Sequence, residues 1–310
     1  MRVLIAGGTG KWGRPVCKAF LENGFNVRLL LHRKKATNIS ANCECVWGDV
    51  FQPGSLKKAL ENVDAVVHLA GIIEPFTEEN PQLAYRFNVG GTHAMVDMIK
   101  EKGGNIPFVF LSTVAVFGAC PDSNELLHPD RTPCNPRTVY AQTKVQCENL
   151  IKESGIDYLI LRLTVVPYVS LNPNDVKRYT FSIPLNNRIE FCHPDDAAMA
   201  VVNGVKHFDK VKGSTLIVAG GPSQQMLYRD MLSVILGVFK LPLPPEHKFT
   251  KEPYDLHWYD TSRSNELLQY QHRTLDDYGK DLANQFPRPL ITVMQRFIGP
   301  VFGKYLVRLM

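Results

Sequence analysis

The feature that most constrains the fold is an alternation of short apolar runs with helix-like segments over the first half of the chain. The runs are rich in Val, Ile and Leu and lie at residues 3–6, 27–31, 65–69, 108–111 and 158–163. Helix-like segments separate them, at residues 13–23, 55–61, 84–102 and 140–154. Strands buried on both faces read as such continuous runs, and right-handed crossovers through helices join them in parallel. We therefore predict an α/β protein with a doubly wound parallel sheet.

The regular alternation ends near residue 165. Prolines at positions 167, 173, 184 and 194 and the proline-rich segment 241–245 then interrupt the pattern, because proline is poorly tolerated inside helices and central strands. We assign residues 1–165 to a first domain built on the sheet and residues 166–310 to a smaller, substrate-facing lobe. We expect segments of this lobe to interleave with the first domain.

The composition limits the functions that are open to the chain. Its 310 residues are 45% hydrophobic and 21% charged, which is ordinary for a globular protein. The net charge of +5 is modest, and the basic cluster at residues 32–35 is too short to indicate a nucleic-acid surface. A small anionic ligand explains this cluster better, so we expect no nucleic-acid partner.

Cysteine usage and the distribution of apolar residues indicate the compartment. Seven cysteines are scattered without a C-x-x-C spacing, a pattern that favours reduced thiols in a cytoplasmic protein and no metal site. No window reaches the roughly 18 to 20 apolar residues of a membrane-spanning helix. The chain opens with strand residues rather than with a secretory signal. We expect a cytoplasmic protein without a transmembrane segment.

A glycine-rich turn follows the first strand directly. Glycine permits a tight turn and a close approach of the backbone to a pyrophosphate, and the N-terminus of the following helix favours an anion. Glycine also serves purely conformational roles in turns, which is the alternative. The context between a strand and a helix predicts a dinucleotide site formed by Gly7, Thr9, Gly10, Lys11, Trp12 and Gly13.

The second strand ends in a basic segment rather than in a carboxylate. Dinucleotide folds that use NAD often place Asp or Glu there, which accepts hydrogen bonds from the ribose and repels a 2′-phosphate. Here His32 and Arg33 follow the strand, and a guanidinium matches the geometry of a phosphate. Arg33 therefore favours NADP over NAD, while a solvated basic turn is the alternative.

Tyr140 and Lys144 form the candidate proton-transfer pair. Their i, i+4 spacing puts both side chains on one helix face, with Cβ atoms about 5 to 6 Å apart. A neighbouring ammonium favours the phenolate, so that Tyr140 can exchange a proton with a substrate oxygen. Upstream, Ser112 and Thr113 end a buried strand at the edge where ligands bind, and either hydroxyl can polarise that oxygen.

The order of the motifs resembles the extended branch of the short-chain dehydrogenase/reductases, which includes NAD-dependent epimerases and dehydratases. The resemblance covers most of the chain and rests on the glycine turn and on residues 48–50, 68–71, 88–92, 112–118, 140–144, 162–167 and 193–196. It implies a Rossmann fold, NADP or NAD as cofactor, a small-molecule substrate and enzymatic activity.

The resemblance also implies roles for individual residues. Asp49 and Val50 would lie at the adenine, and Leu69, Ala70 and Gly71 along the middle of the cofactor. At the other end of the cofactor, Val166 would lie near the nicotinamide, Lys144 would contact its ribose, and Thr113 would be the catalytic hydroxyl residue.

Val114 and Ala115 follow this threonine and bear on the reaction. Similar proteins that dehydrate nucleotide sugars have an Asp-Glu pair at these positions, so dehydration is disfavoured here. Our first choice is hydride transfer between nicotinamide and a carbonyl or secondary alcohol, with Tyr140 as acid/base. A nucleotide-sugar epimerase working through a transient ketone is second, and a non-catalytic cofactor-binding sensor or scaffold is third.

Two further segments allow two interpretations each. His193 and the carboxylates Asp195 and Asp196 could ligate a metal, but no companion motif exists, so we expect a helix cap by Asp195 or Asp196. The basic tail at residues 287–310 has apolar residues three or four positions apart. This face either packs on the protein's own lobe or docks on an anionic membrane surface or on a second subunit in a homodimer.

The first prediction concerns cofactor choice. Replacement of Arg33 by Ala should weaken NADPH binding by about 1.5 to 3 kcal/mol, the range of a hydrogen bond to a charged group, with little effect on NADH. Fluorescence titration of the wild type and of the Arg33→Ala variant with NADPH and with NADH measures these affinities. Tighter binding of NADH than of NADPH to the wild type would show that Arg33 does not meet a 2′-phosphate.

Overall fold

A seven-stranded parallel sheet forms the centre of the molecule. The computed structural model describes residues 1–32, 42–120, 124–167 and 180–285. The strands of this sheet are Arg2–Ala6 (β1), Asn26–Leu31 (β2), Cys43–Trp47 (β3), Ala65–His68 (β4), Phe108–Thr113 (β5), Tyr158–Leu163 (β6) and Ser214–Val218 (β8). Their order is β3-β2-β1-β4-β5-β6-β8. The predicted doubly wound Rossmann fold is confirmed, and the order reverses between β1 and β4, where such folds bind ligands.

Helices cover both faces of the sheet. The main helices are Gly13–Glu22, Pro53–Ala59, Gly91–Glu101, Val139–Glu153, Pro194–Lys206, Tyr228–Val238, Ser262–Leu268 and Leu275–Gln285. Shorter helical turns lie at Phe76–Glu79, Pro81–Ala84, Val114–Phe117, Phe208–Val211, Pro222–Gln224 and Glu246–Lys248. The sequence predicts one helix over residues 84–102, whereas the structure has a π-helical turn, Tyr85–Gly90, inside this segment.

Alternation along the strands explains why the apolar runs are continuous. In β1, Val3 and Ile5 belong to one hydrophobic cluster, with the helices Gly13–Glu22 and Pro194–Lys206. Leu4 and Ala6 belong to a second cluster on the opposite face, with side chains of the helices that precede and follow β4 and β5. Successive side chains point to opposite faces, so both faces of each central strand are largely apolar.

The second half of the chain contributes to two parts of the structure. β8 extends the main sheet beside β6, in register from Leu159↔Ser214 to Leu163↔Val218. The strands Arg188–Glu190 (β7) and Gln225–Leu227 (β9) form a separate antiparallel pair over a third hydrophobic cluster. No helix within the described ranges is long and apolar enough to cross a membrane. The basic tail lies outside the described residues.

A buried ion pair fastens the helix Val139–Glu153 to the sheet. Arg162 of β6 donates from Nε and Nη2 to the two carboxylate oxygens of Glu148, at 3.0 and 2.7 Å, and both side chains are at most 3% exposed. Ser112 of β5 adds a third bond to Glu148, at 2.6 Å. Burial alone would raise the pKa of Glu148, but these bonds outweigh it and hold the pKa below its ordinary value.

The second prediction tests this pair. Glu148→Gln leaves the buried Arg162 charge without its counter-ion and should lower the free energy of unfolding by about 3 to 5 kcal/mol. Glu153→Gln, an exposed change on the same helix, should stay within about 0.5 kcal/mol. Because the native pKa of Glu148 is depressed, the stabilisation is present at neutral pH and disappears on acidification. Denaturant unfolding at pH 7 and at acidic pH measures this; equal stability of both variants at pH 7 would contradict it.

Candidate active site

The glycine turn lies directly against the end of β4. Gly7 has a φ of +93°, which side-chain-bearing residues rarely adopt, and a Cβ there would lie 2.7 Å from the backbone nitrogen of Ala70. A Cβ on Gly13 would lie 2.2 Å from the carbonyl oxygen of Gly7. The turn, the helix start and the segment after β4 therefore meet at distances that exclude side chains at these two positions.

The helix start fits an anion. The helix Gly13–Glu22 begins at Trp12 without a side-chain cap, and no acidic residue lies in its first turn. Such an N-terminus carries a partial positive charge from its unsatisfied N–H groups. Trp12 packs against the hydrophobic cluster on one face of the sheet. The residues present thus fit the pyrophosphate of a dinucleotide, and Thr9, Gly10 and Lys11 complete the turn.

The residues expected at the adenine lie along the carboxyl end of β3. Asp49 accepts a bond from the backbone N–H of Phe51 at 3.0 Å, and His32 Nδ1 lies 3.9 Å from its Oδ2. Val50 contacts Gly91, where a Cβ would lie 3.3 Å from Val50 Cγ2. Arg33 lies outside the described residues, so the preference for NADP stays a prediction.

The expected middle and nicotinamide contacts follow the neighbouring strands. Leu69, Ala70 and Gly71 come directly after β4, and Val166 follows β6. Leu69 and Val166 pack against one hydrophobic cluster and Ala70 against the other. All four stand beyond the carboxyl ends of parallel strands, which is where such folds bind ligands.

Thr113, Tyr140 and Lys144 meet beside β5. Thr113 ends β5, and Tyr140 and Lys144 lie in the first two turns of the helix Val139–Glu153. Lys144 is 5% exposed, its Nζ donates to the carbonyl of Leu111 at 2.7 Å, and it lies 5.9 Å from the centre of the Tyr140 ring. Lys144 Nζ also lies 3.9 Å from the position of a Cβ on Gly71. The structure thus brings the predicted catalytic residues together.

The surroundings of Tyr140 raise the pKa of its phenol above the ordinary value. Burial raises the pKa of this phenol most, the charge of Glu74 raises it further, and a hydrogen bond with Thr113 lowers it by less. The sequence-based expectation was that the ammonium of Lys144 would favour the phenolate. That ammonium is instead engaged with the Leu111 carbonyl and the face of Phe110, 4.6 Å from the ring centre.

Ser112 points into the fold. It is 4% exposed and donates to Glu148 inside the fold. Thr113, next along the strand, points to the other face, is half-buried and accepts from the N–H of Ala115 at 3.2 Å. Of the two alternatives left by the sequence, the structure therefore favours Thr113.

Asn88 supports the site although sequence reasoning gave it no role of its own. It lies in the π-helical turn, is 2% exposed, and its Nδ2 donates to Thr143 Oγ1 at 3.0 Å. Thr143 in turn donates to the carbonyl of Tyr140 at 2.7 Å. Asn88 belongs to the motif at residues 88–92. Its role could not be predicted from that motif, because it depends on contacts with a helix some fifty residues further along the chain.

The carboxylates near His193 form a structural cluster. His193 Nδ1 accepts from the N–H of Asp195 at 3.1 Å and so caps the helix Pro194–Lys206. The expected cap by Asp195 or Asp196 is therefore wrong. Asp196 instead accepts from the backbone N–H groups of His272 and Arg273, at 2.9 and 2.8 Å.

The same cluster has a geometry that could suggest a metal. Ligand atoms of His193, Asp195 and Asp281 lie within 4.8 Å of one another. However, the guanidinium of Arg273 already bridges the two carboxylates. Burial and Arg273 lower the pKa of His193, and a neutral imidazole has one lone pair. Since Nδ1 uses that pair for the cap, Nε2 carries the proton and cannot bind a cation.

Comparisons with known proteins identify the family to which the chain belongs. A family model described as the NAD dependent epimerase/dehydratase family matches residues 3–220. D-erythronate dehydrogenase of Haemophilus influenzae is 26% identical over 211 residues, 65% of this chain and 65% of that protein. The uncharacterized protein y4nG of Sinorhizobium fredii is 32% identical over 247 residues, 75% of this chain and 59% of that protein. The chain thus spans about three fifths of these relatives.

A solved structure shows the same fold. UDP-glucuronic acid 4-epimerase from Bacillus cereus, in complex with UDP-glucuronic acid and NAD, is similar with a TM-score of 0.76 at 21% identity. The similarity covers 92% of this chain and 99% of that one. At 21% identity, this similarity shows that the two proteins share a fold.

The third prediction tests the glycine turn. Gly13→Ala forces a Cβ against the Gly7 carbonyl, so it should cost about 1 to 3 kcal/mol of stability and weaken dinucleotide binding at least about tenfold, an affinity loss of about 1.4 kcal/mol. Gly54→Ala is the matched control, because a Cβ there meets nothing within 4 Å. Thermal unfolding and NAD(P)H titration measure both effects. Unchanged cofactor affinity in Gly13→Ala would remove the turn from the binding site.

Proposed function

Because the chain belongs to the NAD-dependent epimerase/dehydratase family, we propose that it is an NAD(P)-dependent enzyme that interconverts a carbonyl compound and a secondary alcohol. The observation that carries the proposal is the placement of the Tyr140 phenol beside β5, with the Thr113 hydroxyl at the end of that strand and the buried Lys144 ammonium 5.9 Å from the Tyr140 ring centre. A phenol of this kind serves as a general acid at a substrate oxygen.

Each of the three residues has a distinct task in this proposal. Tyr140 gives its proton to the carbonyl oxygen in reduction and takes it back in oxidation. Thr113 donates a hydrogen bond that holds the same oxygen and stabilises its developing negative charge. Lys144, positioned by the Leu111 carbonyl, would contact the nicotinamide ribose and so place the ring next to Tyr140. The dinucleotide supplies the hydride when it is bound.

Two observations favour redox chemistry over the alternatives. Val114 and Ala115 lie in the 3₁₀ turn after Thr113 and offer no carboxylate for dehydration. A relative by sequence is called D-erythronate dehydrogenase, which is an oxidoreductase. Epimerisation through a transient ketone uses the same proton transfer, so a nucleotide-sugar panel run beside a carbonyl panel separates the two reactions.

The proposal also covers the choice of cofactor, the cellular compartment and the contacts of the basic tail. Arg33 after the second strand supports NADP over NAD. All seven cysteines are free thiols, which supports a reducing compartment such as the cytoplasm. The basic apolar tail supports contact with an anionic membrane surface or a second subunit.

The fourth prediction tests the role of Tyr140. Tyr140→Phe removes one hydroxyl and should lower kcat for carbonyl reduction by about 10² to 10⁴, the usual contribution of general acid catalysis. Cofactor affinity and thermal stability should change little. Tyr158→Phe, a half-buried tyrosine at the opposite end of β6, is the matched control. Steady-state kinetics with NADPH and a carbonyl panel measure this, and unchanged turnover in Tyr140→Phe would refute the assignment.

A further inference from the structure

A short segment after β4 is fastened to the site at both of its ends. We call residues 72–78 the strap. At its start, the N–H of Ile72 donates to Asn88 Oδ1 at 2.8 Å, and Asn88 Nδ2 donates back to the Ile72 carbonyl at 3.0 Å. Asn88 is also bonded to Thr143 in the helix Val139–Glu153, which we call the catalytic helix because it carries Tyr140 and Lys144. The first end of the strap is therefore tied to the residue that precedes Lys144.

The second end of the strap lies on the N-terminus of the catalytic helix. The carboxylate of Glu78 accepts from the N–H groups of Val139 and Tyr140, at 3.1 and 3.2 Å. The hydroxyl of Thr77, which is fully buried, donates to the same carboxylate at 3.1 Å. A carboxylate at a helix N-terminus satisfies N–H groups that have no partner inside the helix. The strap is thus held at the backbone of Tyr140 itself.

The side chains between the two fastenings combine apolar surface with one charge. Ile73 is 52% exposed and Phe76 is 44% exposed, although large apolar side chains are rarely so open in the described ranges. With Leu83, they make up three of the six exposed large hydrophobic residues found there. Glu74 lies close enough to Tyr140 for its charge to act on the phenol. Apolar side chains left open at a ligand site are typical of a substrate-contacting surface.

A cation that could have met a substrate phosphate is engaged elsewhere. Arg188 Nη2 donates to Asn124 at 2.6 Å, and the Arg188 guanidinium stacks on Trp258, 5.0 Å from the ring centre. Besides the Lys144 ammonium, the described residues put two negative charges near Tyr140, those of Glu74 and Glu78.

We propose that the strap is the substrate-facing wall of the site and that it selects an uncharged, largely apolar carbonyl compound or alcohol over an anionic one. This inference rests on the proposed function, because it concerns the substrate of the same site. Ile73 and Phe76 provide contact area for an apolar substrate, which binding removes from water. Glu74 repels a substrate anion at the point where Tyr140 delivers its proton. The strap's two fastenings hold these side chains in place without the substrate.

The experiment compares two substrates that share one reacting ketone. Methyl 4-acetylbenzoate is uncharged, and 4-acetylbenzoate carries one negative charge at neutral pH. The kcat/KM of each is measured with NADPH for the wild type and for the Glu74→Gln, Phe76→Ala and Glu79→Gln variants. Glu79 is an exposed carboxylate just beyond the strap, so Glu79→Gln removes the same charge from the same surface and serves as the control.

The strap predicts a distinct pattern across these variants. The wild type should prefer the ester at least about tenfold, a difference of about 1.4 kcal/mol. Glu74→Gln should narrow that preference by raising kcat/KM for the acid. Phe76→Ala should lower kcat/KM for the ester, chiefly through KM, and Glu79→Gln should leave the ratio unchanged. A wild type that prefers the acid, or a Glu74→Gln ratio equal to that of Glu79→Gln, overturns the proposal.

A binding measurement tests the proposal for the strap independently of the proposed reaction. Calorimetric titration of the Tyr140→Phe protein, loaded with NADPH, with the ester and with the acid needs no turnover. Tighter binding of the ester supports the strap, even if the wild type reduces neither ketone and the redox proposal fails. Equal binding, tighter binding of the acid, or binding of neither compound overturns the strap, even if turnover of another carbonyl is found.

Discussion

The buried contact of Glu148 with Arg162 and Ser112 is the interaction on which the geometry of the site depends. It joins the middle of the catalytic helix to two adjacent strands, β5 and β6. A charge pair this deeply buried stabilises only while both partners are present, because either charge alone is costly to bury. It therefore specifies one orientation of the helix on the sheet.

That orientation determines where the proposed catalytic groups lie. Ser112 points inward to Glu148, so Thr113 points to the other face at the carboxyl edge of the sheet. Four residues before Glu148, and so on the same face of the helix, Lys144 reaches the carbonyl of Leu111 in β5. Tyr140 comes one further turn earlier, and its pKa responds to Thr113. One ion pair thus places the hydroxyl, the phenol and the ammonium with respect to each other.

The sequence predicts the parts of this arrangement that depend on local patterns. The strands from β1 to β6, apart from β3, are continuous apolar runs, and their ends agree with the structure within about two residues. The glycine turn and the Tyr140–Lys144 spacing are equally local. β3 was missed because Cys43 and Glu44 give it a mixed composition, and β8 was missed because it lies in the half of the chain that prolines interrupt.

The parts that the sequence did not predict are contacts between distant segments. Glu78 meets the N-terminus of the catalytic helix across some sixty residues, and no spacing rule connects them. The cap made by His193 depends on the orientation of its imidazole ring. The neighbours of that ring, Arg273 and Asp281, come from a distant part of the chain. The raised pKa of Tyr140 depends first on burial and then on Glu74, neither of which an i, i+4 spacing reveals.

The central claim is that this site moves a hydride between nicotinamide and a carbonyl carbon while Tyr140 moves the proton. The most direct test uses NADPH carrying deuterium at both C4 positions and mass spectrometry of the product. Net reduction predicts one deuterium at the carbinol carbon of the alcohol, lost in Tyr140→Phe at matched time points. A carbonyl substrate recovered unlabelled, or a sugar epimerised with no net oxidation of the cofactor, would contradict the account.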